Sequence, residues 1–233
     1  PTALSRMKEA VGKAGTGLNA QAMSALHQGD FAAAIGLYRR LTAEDPDAPD
    51  AVRGLLAAWI GAGSPAEARR IAEAWLEAHP DDVQLLVLSA ELSMHDGDRP
   101  TTEARLRRAL NLEPQHHLVL NNLADLLTAD DPTQAIVFAR RAVELQPLDG
   151  HYLHTLGEAL LEADDAAQAM RVLADAWSKR PGSADVAYHY AAALAGMGED
   201  QRAADILRSI LDRDFAERPS ARALLSEIGG AGP

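Results

Sequence analysis

Eight histidines make metal binding the first chemistry to consider in this 233-residue chain. His151 and His154 are three positions apart, and a helix would place both on one face with Glu158 one turn further along. Two imidazoles and a carboxylate on helices form a set that can hold zinc. The chain has no cysteine, however, and it lacks the HExxH spacing of zinc peptidases. We therefore predict no metal and no other cofactor, and interpret these histidines as polar groups of a binding surface.

Two segments near the start resemble catalytic or nucleotide-binding motifs only in part. Residues 12–17 read GKAGTG, but a phosphate-binding loop needs Lys and Ser or Thr directly after its second conserved glycine, and Gly17 is followed by Leu18. Ser5 and Lys8 match an SxxK pattern without its companion motifs. The sequence therefore predicts no enzyme.

Composition narrows the classes of partner and of fold. The net charge of −12 and the pI near 5.0 argue against nucleic acid, which needs a basic face to neutralise its phosphates. The sequence contains no run of 18 apolar residues, so we predict no membrane span in this chain. The sequence leaves the cellular compartment undecided. Alanine, the best helix former, supplies 47 of the 233 residues, whereas strand formers are sparse. This composition predicts an all-α chain.

The spacing of five prolines predicts the elements that would position these residues. The prolines are separated by 34, 34, 33 and 34 residues, and each follows an Ala or Thr by 12 positions. The prolines are Pro46, Pro80, Pro114, Pro147 and Pro181, and the small residues are Ala34, Ala68, Thr102, Ala135 and Ala169. A period near 34 is typical of stacked helix–turn–helix repeats, each burying its apolar face on its neighbours.

This period divides the chain into three predicted parts. Residues 1–14 form a half-repeat or N-terminal helix, which suggests a longer parent protein. Residues 15–216 form an array with repeats at about 15–48, 49–82, 83–116, 117–149, 150–183 and 184–216. Residues 217–233 form a capping helix and tail, because apolar residues from Ala221 to Ile228 share one face with polar residues opposite.

The repeats resemble those of the tetratricopeptide repeat (TPR) family. The fifth matches best, with Leu153, Leu156, Gly157, Leu160, Ala169, Leu173, Ala176 and Pro181 at the positions that the family pattern occupies, and the fourth contains the frequent TPR string NNLA at residues 121–124. The resemblance implies an all-α, right-handed α-solenoid superhelix of about six repeats. It also implies that Gly157 and Ala169 face each other where the two helices of repeat 5 cross.

The same resemblance places a binding groove on the first helices of the repeats. Mapped onto this chain, the groove positions include Arg53, Glu91, Asn121, Asp125, His151, His154, Glu158, Glu162 and Tyr188. Asp125, Glu158 and Glu162 would merge into an acidic strip suited to a basic or polar extended protein segment. With histidines alongside, we expect protonation below about pH 6.5 to weaken the negative field of this strip.

The function predicted from these observations is a non-enzymatic scaffold for protein–protein interaction, with no nucleic-acid partner. The C-terminal half further resembles TPR lipoproteins of bacterial exosortase and exopolysaccharide loci, through the YHYA helix at residues 188–191 and the segment 215–228. That narrower resemblance implies a larger bacterial assembly, such as exopolysaccharide or protein export. Two alternatives stay open: a self-associating TPR module, and the recognition arm of an enzyme whose catalytic domain lies outside this chain.

Overall fold

A computed structural model describes residues 17–230, and within that part the chain forms thirteen α-helices and no strand. The prediction of an all-α fold is confirmed. The first six helices are α1 (Leu18–Gln28), α2 (Phe31–Glu44), α3 (Pro49–Gly61), α4 (Pro65–Ala78), α5 (Val83–His95) and α6 (Arg99–Leu112). The next seven are α7 (His117–Leu127), α8 (Pro132–Leu145), α9 (Gly150–Glu162), α10 (Ala166–Lys179), α11 (Ala184–Gly196), α12 (Asp200–Ile210) and α13 (Arg218–Gly230).

The chain divides into two compact units, Pro1–Glu113 and Pro114–Pro233. The first unit contains α1–α6 and the second α7–α13. Within each unit, successive helices pack against one another. The half-repeat predicted for residues 1–14 lies outside the described residues, and the repeat boundaries stay a prediction.

Local chemistry explains where the helices begin and end. Six helices begin after an aspartate whose carboxylate accepts a backbone N–H of the first turn, which satisfies a donor that the helix itself cannot. These aspartates are Asp30, Asp82, Asp98, Asp131, Asp149 and Asp165. The turns after α1, α3, α5 and α11 each use a glycine with positive φ: Gly29, Gly63, Gly97 and Gly198. A residue with a Cβ would be strained there, so these glycines reverse the chain between paired helices.

The periodic residues occupy the predicted environments. All five prolines lie in exposed turns between one helix pair and the next. The five small residues 12 positions earlier, from Ala34 to Ala169, are all fully buried. A small residue lets two helices approach closely, and a proline ends the second helix because it cannot continue the backbone ladder.

The position that a Cβ of Gly157 would occupy lies against Leu173, and the expected contact between Gly157 and Ala169 stays a prediction. A Cβ built on Gly157 in α9 would lie 2.4 Å from Cγ and Cδ2 of Leu173, one helical turn beyond Ala169 in α10. Leu173 is fully buried. The glycine therefore makes room for the side chain of Leu173.

None of the helices within residues 17–230 is long and apolar enough to cross a membrane.

Candidate binding surface

The first helices of successive pairs in the second unit, α7, α9 and α11, hold most of the residues predicted for binding. Side chains 35 residues apart meet between these helices. Nδ1 of His117 lies 2.6 Å from the hydroxyl oxygen of Tyr152, and Nε2 of His154 lies 2.9 Å from Nδ1 of His189. The stacking of helix pairs thus brings chemically active side chains together along one row.

His154, Glu158 and His189 form the tightest group of titratable side chains in this row. Glu158 follows His154 by one helical turn, and its carboxylate lies 3.6 Å from Nδ1 of His154. The other carboxylate oxygen lies 3.3 Å from Nε2 of His189. Nδ1 of His189 is 3.0 Å from the carbonyl oxygen of Asp185, one turn earlier in α11. We call these three residues the His–Glu–His cluster.

Burial sets the charge of the His–Glu–His cluster. Burial, assisted by the neighbouring His189, lowers the pKa of His154 to about 3, and burial also lowers the pKa of His189. Burial followed by the nearby charge of Asp125 raises the pKa of Glu158 to about 8. The three groups are therefore mostly uncharged at neutral pH.

These pKa values correct two expectations from the sequence. Glu158 does not add a full negative charge to the acidic strip, because its carboxyl is largely shielded from water and lies among other carboxylates. Protonation of His154 near pH 6.5 is also no longer expected, because burial and the neighbouring His189 lower its pKa to about 3. Both errors have one cause: the sequence did not indicate how deeply these side chains are buried.

Other carboxylates keep this surface acidic. Asp125, Asp185, Glu162 and Glu217 all act electrostatically on Glu158, so they lie around it, and Asp125 and Glu162 are exposed. Burial would raise the pKa of Asp185, but the hydrogen bond of 2.7 Å from the Ser183 hydroxyl, a backbone hydrogen bond and the charges of His154 and Arg180 together lower it. We call Asp125, Glu162 and Asp185 the acidic surface of the second unit.

The remaining predicted residues of the second unit flank this surface. Tyr188 is half-buried, and its ring meets the His189 ring edge-on at 4.9 Å between centroids. His151 is exposed at the start of α9, where partial burial and then Arg180 lower its pKa. The side-chain oxygen of Asn121 is buried and has no hydrogen-bond partner among the described residues.

Arg53 and Glu91 lie in the first unit, so we describe them by themselves. Nη1 of Arg53 is 3.1 Å from Asp50, and Nη2 is 3.7 Å from Asp82. Asp82 also accepts a hydrogen bond of 3.0 Å from the indole N–H of Trp75. Arg53 is thus held by carboxylates of its own unit, and Glu91 is half-buried on α5.

The functional residue that the sequence analysis missed is His189. It lies 35 residues from His154, so no short metal-ligand motif contains both residues. The repeat period of about 34 is the signal that could have found it, because residues one period apart lie on adjacent first helices.

The family model for the tetratricopeptide repeat matches residues 25–92 and 160–228, more than half of the chain. Two solved structures, a tetratricopeptide repeat protein from Parabacteroides merdae and pilF of Pseudomonas aeruginosa, are each 15% identical to it. The Parabacteroides protein aligns over 97% of this chain and 87% of its own length, with a TM-score of 0.73. The pilF structure aligns over 95% of this chain and 99% of its own length, with a TM-score of 0.74.

A third, YrrB, described as "a TPR protein with an unusual peptide-binding site", is 15% identical over 83% of this chain and 97% of its own, with a TM-score of 0.66. At such identities these likenesses establish the fold, an all-α solenoid of repeats. No match was found among the curated proteins.

Proposed function

Because the chain belongs to the tetratricopeptide repeat family, we propose that it is a non-enzymatic scaffold that holds a cationic protein segment on its first helices. Stacked repeats create extended surfaces that suit such binding, whereas a fold by itself names no partner. The peptide-binding site in the description of YrrB gives a precedent within the same fold.

The observation that carries the proposal is the acidic surface of the second unit. Three successive first helices each contribute a carboxylate: Asp125 from α7, Glu162 from α9 and Asp185 from α11. One repeat follows the next, so the charges form a row along which an extended chain can lie. Lysine and arginine side chains of such a segment would meet these carboxylates and gain in association rate from the summed field.

Neighbouring groups refine the kind of segment that fits. The ring of Tyr188 offers a half-buried aromatic surface beside the carboxylates, where an arginine or a proline can pack. The largely uncharged His–Glu–His cluster supplies hydrogen-bonding groups without charge. We therefore propose a basic, partly polar segment. From the narrower sequence resemblance alone, we propose that the protein belongs to a larger bacterial assembly.

Selection from a displayed library of random 15-residue peptides tests this proposal. The full chain is expected to enrich peptides rich in Lys and Arg at low ionic strength, and the enriched peptides should lose affinity as salt screens the charges. An Asp125→Asn, Glu162→Gln variant should bind them at least about tenfold more weakly.

A variant with the same change in net charge provides the control. Glu144→Gln, Asp175→Asn removes two exposed carboxylates from the second helices α8 and α10, and should bind the selected peptides like the wild type. Equal loss in both variants would mean that only net charge matters. Failure to enrich cationic peptides would contradict the proposal directly.

A further inference from the structure

The His–Glu–His cluster brings three metal-ligand groups together from two helices. One nitrogen of each imidazole and one oxygen of Glu158 all lie within 4.8 Å of one another. The exposed fractions of the side chains are 11% for His154, 15% for His189 and 27% for Glu158. A divalent ion with bonds of about 2.0–2.2 Å needs ligand atoms roughly 3–3.5 Å apart, so side-chain adjustments of about 1 Å would complete such a site.

The tautomer of His189 leaves the correct nitrogen free to bind a metal. A carbonyl oxygen can only accept, so the 3.0 Å contact with Asp185 is a hydrogen bond that Nδ1–H of His189 donates. In the neutral ring Nε2 then carries a lone pair, and it faces the carboxylate of Glu158 at 3.3 Å. A histidine that binds a metal through one nitrogen and donates its other N–H to a backbone carbonyl is the usual arrangement in metalloproteins.

Hydrogen bonds among the three side chains account only in part for the geometry of the His–Glu–His cluster. Nδ1 of His189 lies within 3.0 Å of both the Asp185 carbonyl and Nε2 of His154, so its single proton is shared between two acceptors. The 3.6 Å separation between Nδ1 of His154 and Glu158 is too long for a hydrogen bond. The carboxyl proton of Glu158 can be donated to Nε2 of His189 at 3.3 Å, and a cation would replace that proton and bond to all three groups at once.

The electrostatic surroundings suit a divalent cation. Asp125, Asp185, Glu162 and Glu217 all act on Glu158 and would stabilise added positive charge. The positive charge of Arg180 lowers the pKa of His154 and would repel a cation. Among the described groups that act most strongly on Glu158 and His154, carboxylates predominate, so the local balance favours a cation.

We propose that His154, Glu158 and His189 bind one divalent first-row transition-metal ion, for which zinc is the reference. Two imidazoles and one carboxylate select zinc, cobalt, nickel or copper over magnesium and calcium, which prefer oxygen ligands alone. Because the ligands come from α9 and α11, the ion would link two successive helix pairs and stabilise the second unit.

Zinc titration of the untagged full chain, freed of metal with a chelator and then dialysed, tests the proposal. We expect one Zn²⁺ per chain, displacement by the chelator, and a rise in Tm of about 5 °C or more at a hundredfold excess over Kd. Cobalt substituted for zinc should give the visible absorption of a four-coordinate ion. Mg²⁺ and Ca²⁺ should leave Tm unchanged and should not compete.

Three variants locate the ion. Glu158→Gln and His189→Asn keep similar side-chain size, and each should lower zinc affinity at least about tenfold while retaining the helical circular dichroism of the wild type. His151→Ala, which removes an exposed histidine one turn before His154, should bind zinc like the wild type. Absence of stoichiometric zinc binding, unchanged affinity in both cluster variants, or loss of binding on His151→Ala alone would each overturn the proposal.

Discussion

At the scale of single residues, the core of the first unit contains a buried tyrosine whose pKa is raised. Tyr38 on α2 is fully buried, and its hydroxyl oxygen has no hydrogen-bond partner within residues 17–230. Burial, followed by the charge of Asp50, raises the pKa of Tyr38 to about 12. The hydroxyl thus adds a desolvation cost, while the ring fills the space over Gly54, where a Cβ would lie 2.2 Å from it.

Tyr38→Phe tests this assignment through the pH dependence of stability. The unfolded tyrosine ionises near pH 10 and the folded one near pH 12, so the unfolded state loses its proton first and stability falls as pH rises through that window. The phenylalanine variant should lose less stability between pH 10 and 12. At pH 7 it should equal or exceed the wild type by about 1 kcal/mol, because a buried unsatisfied hydroxyl is removed.

Chemical denaturation at pH 7 and at pH 11 gives both comparisons. Identical changes in the free energy of unfolding for wild type and variant between the two pH values would contradict the assignment.

At the scale of elements, the packing of each first helix on its second helix depends on where a side chain can enter the crossing. Gly157 of α9 gives that space to Leu173 of α10, whose Cγ would lie 2.4 Å from an added Cβ. Gly36 is also helical, on α2, but it is exposed and a Cβ there would meet nothing within 4 Å. These two glycines allow the same substitution in opposite environments.

Gly157→Ala should destabilise the protein by about 1–2 kcal/mol, because overpacking outweighs the gain of removing a helical glycine. Gly36→Ala should be neutral or stabilising by up to about 1 kcal/mol, because only the backbone-entropy gain remains. Thermal and denaturant melts of both variants would measure the difference. A Gly157→Ala variant as stable as Gly36→Ala would show that the Leu173 side chain can move to accommodate the added methyl group.

At the scale of the whole molecule, each unit has its own hydrophobic core, as expected for a chain built by stacking. The core of the second unit extends to α13, whose Ala221 is fully buried and joined by the half-buried Leu224, Leu225 and Ile228. Phe215, which replaces the periodic proline, packs against the same core. Helix α13 therefore covers the apolar face of the last helix pair.

A charge introduced into this cover should detach it. Ala221→Asp would bury a carboxylate without a partner and should cost on the order of 3 kcal/mol. Ala223→Asp makes the same substitution two residues later at an exposed position of α13 and should be nearly neutral. Limited proteolysis, helical circular dichroism and light scattering should report cleavage of α13, lost helicity or aggregation only in Ala221→Asp. Similar behaviour of the two variants would contradict a covering role.

The sequence by itself determined the all-α class, the repeat period and the family, because these depend on local and periodic information. A proline recurs every 33 or 34 residues with a small residue 12 positions earlier, and such a period can be recognised without knowing which helices pack together. The binding residues on the first helices were predicted from the resemblance to the TPR family, because the family's repeat pattern assigns each position to a helix.

Only the tertiary structure decided which side chains meet and what charge they carry. The pairing of His154 with His189 depends on the register between α9 and α11, and the packing of Gly157 against Leu173 on the angle at which α9 and α10 cross. The pKa of Glu158 rises to about 8 because burial removes water that no sequence pattern records. Helix formation is local, whereas distances and desolvation between helices are properties of the packed chain.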